Sequence, residues 1–258
     1  MKLVVSDVDG TILKSGEDVL NKNIITIIRE LTKRGILFAA ASGRSYFDLR
    51  SIFQLVEADI IFIPNDGAAV FYKGSVLGCF PIEHALGFDF MKDIYQNTEA
   101  EVVLYGRDMT YILPKSKEFE EMMYRMTKAH IQKVDCMNRV QADYLKIACY
   151  HKADVRKQLE DYLSYWIKKL HLSYASSNWI EFTSCGVHKA TAVEKIMDIF
   201  GIRREEVMAF GDNENDKELL SLAGTAYAMK GAKAEIKKLC AYETENVAET
   251  LYQLFLKS

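Results

Sequence analysis

Three prolines in 258 residues leave little room for a linker or low-complexity tract, and no repeat is visible. The five cysteines (Cys79, Cys136, Cys149, Cys185 and Cys240) are scattered, with no Cys-x-x-Cys pair. An odd, dispersed set reads as reduced, mostly buried thiols and points to the cytoplasm. The five histidines are equally dispersed, which argues against a zinc site. Surplus charge is lacking too. The formal net charge is -3, from 33 basic and 36 acidic residues, and this excludes broad electrostatic binding to nucleic acid or an anionic membrane. The longest apolar run, Ile36 to Ala41, falls far short of the roughly 20 residues a membrane span needs. Leu3-Val4-Val5 is too short for the apolar region of a signal peptide. Neither Gly-x-Gly-x-x-Gly nor a Walker loop occurs, which removes the dinucleotide and P-loop readings.

What is present is a strand–helix grammar at both ends of the chain. Leu3-Val4-Val5, Ile36 to Ala41 and Ile60 to Ile63 read as buried strands. Ile24, Ile27, Ile28 and Leu31 recur at helical spacing between the first two, and Tyr46, Leu49, Ile52, Phe53 and Val56 between the next two. After residue 186 the pattern resumes, with a helix through Ala192 to Phe200, strands at Val207 to Phe210 and Thr225 to Met229, and helical material to the terminus. This alternation predicts an α/β fold with a doubly wound parallel sheet, whose binding crevice lies at the carboxyl ends of its strands. In the middle, strands at Glu101 to Tyr105, Thr110 to Leu113, Tyr144 to Tyr150, Leu172 to Ser176 and Trp179 to Thr183 join helices near 83 to 98, 116 to 129 and 152 to 170. Adjacent strands without helices between them predict an antiparallel sheet with helices on one face. The expected organisation is a core of residues 1 to 81 plus 186 to 258, interrupted by an inserted α+β domain at 82 to 185.

Chemistry concentrates after the predicted core strands. In Asp7-Val8-Asp9-Gly10-Thr11, alternation along an extended chain points Asp7 and Asp9 to one side. Their mutual repulsion calls for a shared proton or a cation, and a hard divalent ion such as magnesium suits oxygen ligands. A solvated turn also accounts for the motif alone. In Gly211-Asp212-Asn213-Glu214-Asn215-Asp216, Asp212 is placed to complete the metal site, and Asn215 and Asp216 to orient ligands; helix capping is the simpler role for Asn213. Ser42-Gly43-Arg44 opens a helix, so Ser42 and Gly43 are candidates to bind a phosphate, while capping by Ser42 or Ser45 is the simpler account of the motif alone. Arg44 reads either as an anion contact or as a solvated side chain. Lys189, near a helix start, opposes the dipole and needs compensation. It reads either as a surface lysine or as an ammonium bridging a carboxylate and a phosphate.

Taken together and in this order, the motifs resemble those of the haloacid dehalogenase superfamily, specifically its Cof-type sugar-phosphate phosphatases with a large inserted cap. The resemblance implies a magnesium-dependent phosphatase that acts on a small phosphorylated metabolite. It makes Asp7 the nucleophile that forms an aspartyl-phosphate, and Asp9 the general acid/base whose backbone carbonyl also binds magnesium. It places Ser42 and Lys189 on the phosphate, Asp212 on the metal and Asn215 beside the substrate, with the cap shaping the pocket. Where relatives often carry Asn-Gly-Ala after the third strand, this chain has Asn65-Asp66-Gly67-Ala68. A phosphomutase shares the aspartate pair and stays open, and so does a non-catalytic phospho-ligand sensor, although loss of Asp7 or Asp9 would mark the latter.

Overall fold

The structure, a computed structural model, describes residues 1–14, 17–127 and 130–257. In chain order the first strands are β1 (Leu3–Asp7), β2 (Leu37–Ala41), β3 (Ile60–Ile63), β4 (Ala69–Tyr72) and β5 (Ser75–Cys79), with helices α1 (Lys22–Lys33) and α2 (Tyr46–Ile52) between the first three. Inserted next are α3 (His84–Asn97), β6 (Glu101–Tyr105), β7 (Thr110–Ile112), α4 (Lys117–Thr127), β8 (Ile131–Lys133), β9 (Lys146–Tyr150), α5 (Val155–Trp166), β10 (Leu170–Tyr174) and β11 (Trp179–Ser184). The chain closes with α6 (Lys189–Phe200), β12 (Val207–Gly211), α7 (Lys217–Leu222), β13 (Thr225–Met229), α8 (Ala234–Lys237), β14 (Tyr242–Thr244) and α9 (Val247–Leu251). Two compact units result: Met1–Arg44 with Asp48–Gly78 and His188–Ser258, and Ser45–Phe47 with Cys79–Val187.

The first unit holds an eight-stranded sheet in the order β14-β13-β12-β1-β2-β3-β4-β5. From β14 to β3 every neighbour is parallel, and β4 turns antiparallel to β3. Continuous apolar runs suit strands covered on both faces, and every residue of β1 and β3 is buried. Helix α1 buries Ile24, Ile27, Ile28 and Leu31, and Asn21 caps its start by accepting from Asn23 N–H. Helix α6 stops at Gly201 in the left-handed conformation. From β1 the chain winds one way to β2 and β3, and the later strands wind the other way from β12. The reversal falls between β1 and β12, and there the crevice of a doubly wound sheet lies.

One addition and two corrections concern elements that the sequence pattern hid. β4 and β5 form a hairpin through Lys73 and Gly74, both at positive φ (50° and 75°), the mirror-image turn that matches strand twist. The final stretch is not all helical, because Tyr242–Thr244 adds a parallel edge strand. In the inserted unit the sheet order is β10-β11-β9-β6-β7-β8, antiparallel except for the parallel pair β7–β8. Its helices cover both faces rather than one. Alternation sends Val102, Leu104, Ile147 and Cys149 into a core with Phe90, Ile94, Val155 and Leu159 of α3 and α5, whereas Val103 and Ala148 pack with Phe119 and Met123 of α4. The strands expected at Tyr144 and Leu172 begin at Lys146 and Leu170, and the last two residues of the helix expected at 116 to 129 lie outside the described residues. None of the described helices is long and apolar enough to cross a membrane.

Candidate active site

Asp7 ends β1 and Gly211 ends β12, so the acidic loop that starts at Asp212 emerges beside Asp7 at the switch point. Lys189, the first residue of α6, is fully buried between them. Its Nζ donates to Asp7 Oδ1 at 2.6 Å and to Asp216 Oδ1 at 2.7 Å. The other oxygen of Asp216 accepts from the N–H groups of Asp212 (3.0 Å) and Asn213 (3.1 Å), so this buried carboxylate shapes the loop from within. Asp212 Oδ1 accepts from the Thr11 hydroxyl at 2.9 Å. Gly10 makes that approach possible. Its φ is +92°, and a Cβ there would stand 2.5 Å from Asp212 Oδ2.

The electrostatics follow from this crowding. Burial pushes the Asp7 carboxyl well above the usual carboxylate range, the charge of Asp216 adds to this, and Lys189 opposes it. Asp212 is raised too, first by burial, with Thr11 pulling it back and Asp216 pushing it further. Burial alone would lower Lys189, but Asp216, Asp7 and Asp66 more than reverse that and hold it charged. One oxygen of Asp7, Oδ2, is buried without a hydrogen-bond partner. A buried orphan carboxylate oxygen is expensive unless something meets it. Carboxylate oxygens of Asp7, Asp212 and Asp216 converge within 4.8 Å of one another. Both oxygens of Asp216 are engaged, so the open capacity belongs to Asp7 and Asp212. A donor set of hard oxygens with an orphan among them fits a magnesium-sized cation.

Asp9 lies elsewhere than simple alternation suggests. Strand β1 stops at Asp7, and the Asp9 side chain, 49% exposed, is gripped by Arg44: Nε to Oδ2 at 2.9 Å and Nη2 to Oδ1 at 2.7 Å. Arg44 also reaches Asp18 at 3.1 Å, and hydrogen bonding to Asp9 raises its own affinity for the proton. The compensation for Asp9 is therefore a guanidinium, and Arg44 is neither idle nor on a foreign anion. Ser42 is buried, with its Oγ 3.5 Å from Asp9 Oδ2 and accepting from Arg44 N–H at 3.1 Å. Gly43 lies between them in the turn that joins β2 to α2. Asn215 donates its amide to Asp66 Oδ1 at 2.9 Å.

Asp66 is the residue that sequence reading passed over. Asn65, Asp66 and Gly67 follow β3 with φ of 51°, 55° and 96°, and all three are buried. Gly67 packs so closely on the start of α6 that a Cβ would overlap the carbonyl of His188. The only signal was the departure from Asn-Gly-Ala; left-handed backbone leaves no periodicity to read.

The chain is 25% identical to 5-amino-6-(5-phospho-D-ribitylamino)uracil phosphatase of Escherichia coli, across 94% of this chain and 90% of that protein. It is 27% identical to phosphoglycolate phosphatase 1 of Saccharolobus solfataricus, across 95% and 90%. A solved structure from Eubacterium rectale superposes with a TM-score of 0.89 at 24% identity, covering 98% of each chain. A haloacid dehalogenase-like hydrolase from Bacillus subtilis gives 0.86 at 20% identity, over 98% of this chain and all of that one. The model for haloacid dehalogenase-like hydrolases matches residues 4–250, the span that carries the carboxylates, the lysine and both ends of the switch point; the chain belongs to the haloacid dehalogenase-like hydrolase family.

Proposed function

We propose that this chain is a magnesium-dependent phosphatase that hydrolyses small phosphate monoesters, sugar phosphates among them, through an aspartyl-phosphate on Asp7. The observation that carries the reading is the buried Asp7 carboxylate, bonded to Lys189 through one oxygen and without a hydrogen-bond partner on the other. The named relatives act on phosphorylated small molecules of differing chemistry, which supports the reaction class and leaves the leaving group open.

Asp7 attacks phosphorus in line and takes the phosphoryl group, while the alkoxide departs with a proton from Asp9. Asp9 then accepts a proton from water, which attacks the aspartyl-phosphate and releases phosphate. In the structure the Asp9 carboxyl accepts from Arg44, and its part in the reaction requires it to release the guanidinium. Lys189 holds Asp7 in position and offsets charge on the transferring group. Ser42, and the backbone at Gly43, contribute donors to the phosphate. Magnesium would be held by Asp7 Oδ2, the Asp9 backbone carbonyl and Asp212, and would supply neutralising charge to the phosphoryl oxygens. The scattered thiols make the cytoplasm the fitting compartment.

A panel of phosphorylated metabolites, assayed for inorganic phosphate with and without magnesium, tests this reading. Metal-dependent release without a bisphosphate activator is expected. Release that survives Asp7→Asn, or that needs the activator, defeats it.

A further inference from the structure

The turn after β3 and the acidic loop after β12 lie on opposite sides of β1 and β2 in the sheet, yet one hydrogen bond spans them. Asn215 Nδ2 donates to Asp66 Oδ1 at 2.9 Å. On its other side Asp66 N–H donates to the carbonyl of Ser42 at 3.0 Å, and Asn65 N–H to that of Arg44 at 2.9 Å. Asp66 therefore touches both halves of the site, the loop of Asp212 and Asp216 through its side chain and the Ser42–Arg44 turn through its backbone. Its left-handed backbone (φ 55°, ψ 32°) is one that Asp and Asn tolerate better than other residues with a side chain.

We propose that Asp66 is a positioning residue: its side chain, through the Asn215 amide, fixes the 212–216 loop so that Asp212 stands ready beside Asp7 for a divalent cation. The inference rests on the metal site proposed above. What the strut requires is the hydrogen bond rather than the charge, and the two can be separated without straining the backbone. Asp66→Asn removes the charge but keeps an acceptor for Asn215. Asn215→Leu breaks the bond at constant charge and similar size. Asp66→Asn combined with Asn215→Asp reverses the polarity of the bond and restores the wild-type charge.

The test is magnesium titration of the full chain by calorimetry, alongside the magnesium dependence of phosphate release and a melting curve for each variant. Outer-shell partners of metal ligands typically carry about 10- to 100-fold in affinity. Asn215→Leu is expected to weaken magnesium about tenfold or more with an intact fold. Asp66→Asn and the reversed pair should both stay within about threefold of wild type by the same measure. A wild-type affinity in Asn215→Leu overturns the proposal. So does an equal loss in Asp66→Asn, which would assign the effect to charge, or failure of the reversed pair to recover. Asp212→Asn serves as the control for the underlying site. If it abolishes magnesium binding while Asn215→Leu changes nothing, only the strut fails; if it leaves binding intact, the metal site itself is misplaced.

Discussion

Among the described residues two lysines are buried, one in each unit, and their surroundings differ in kind. Lys146, on β9 of the inserted unit, is 1% exposed and pairs with Glu181 of β11 at 2.6 Å beneath the ring of Tyr105. Lys189 meets Asp7 and Asp216 directly and has Asp212 close by, three carboxylates to one ammonium, with an Asp7 oxygen left unpartnered. An excess of buried negative charge is stable only if a proton or a cation completes it. The lesson is that burial of a lysine says little about function; the unbalanced remainder around it says more.

The largest expected effect breaks the two apart by activity. Lys189→Met should lower kcat/KM by about a thousandfold or more, since it removes a charge held against the nucleophile. Lys146→Met should stay within about threefold once its folded fraction is allowed for. Steady-state phosphate release on the best substrate of the panel decides. A thousandfold loss in folded Lys146→Met would place that pair in substrate recognition and erase the contrast.

Stability sharpens the same comparison. Removing Lys146 strands the part-buried Glu181, at a cost of about 1–3 kcal/mol, whereas replacing both by apolar side chains is often neutral. Urea denaturation of Lys146→Met should show that loss, and the double variant Lys146→Met with Glu181→Leu should recover most of it. No recovery would mean that Glu181 is held by more than its lysine.

The units also differ in how openly the sequence announced them. Strands β1, β2 and β3 are continuous apolar runs broken by helices of clear periodicity, so the core sheet, Asp7 and Asp212 at its carboxyl rim were legible. The β4–β5 hairpin was not, because its turn is Lys73-Gly74 rather than Asn-Gly and no residue of β5 is fully buried. Helices on both faces of the inserted sheet were missed, since the exposed spacing within α4 does not say which face of a sheet it covers. In the site, Arg44 and Asp66 act through contacts between residues 35 and 149 positions apart. No local pattern encodes these: they exist only once the sheet order brings the loops together.

Two glycines with positive φ separate crowding from backbone freedom. Gly74 (φ +75°) has nothing within 4 Å of where a Cβ would lie, so Gly74→Ala pays only for the left-handed backbone, about 1–2 kcal/mol of stability. Gly10→Ala adds a collision with Asp212 Oδ2. It should displace that carboxylate and weaken magnesium about 10- to 100-fold, while Gly74→Ala leaves magnesium binding unchanged. Calorimetric titration of both variants checks this; equal affinities would show that Asp212 has room to move.

The smallest effect concerns what the unbalanced cluster costs when no cation is present. Burial raises the folded-state pKa of Asp7 above the ordinary carboxylate value of 3.8, so the unfolded chain ionises it more readily than the folded one. Above that value the ionised carboxylate subtracts stability, and the deficit grows until pH passes the folded pKa. Asp7→Asn keeps an oxygen for Lys189 and removes the charge. In magnesium-free buffer at neutral pH its melting temperature should therefore exceed wild type by about 2–4 °C, and the difference should vanish at acid pH, where Asp7 is protonated in both states. Saturating magnesium should reverse the order, because only the wild type gains binding free energy on folding. A variant that melts below wild type without magnesium would show that the pairing with Lys189 outweighs burial, and that the cluster is balanced without a cation.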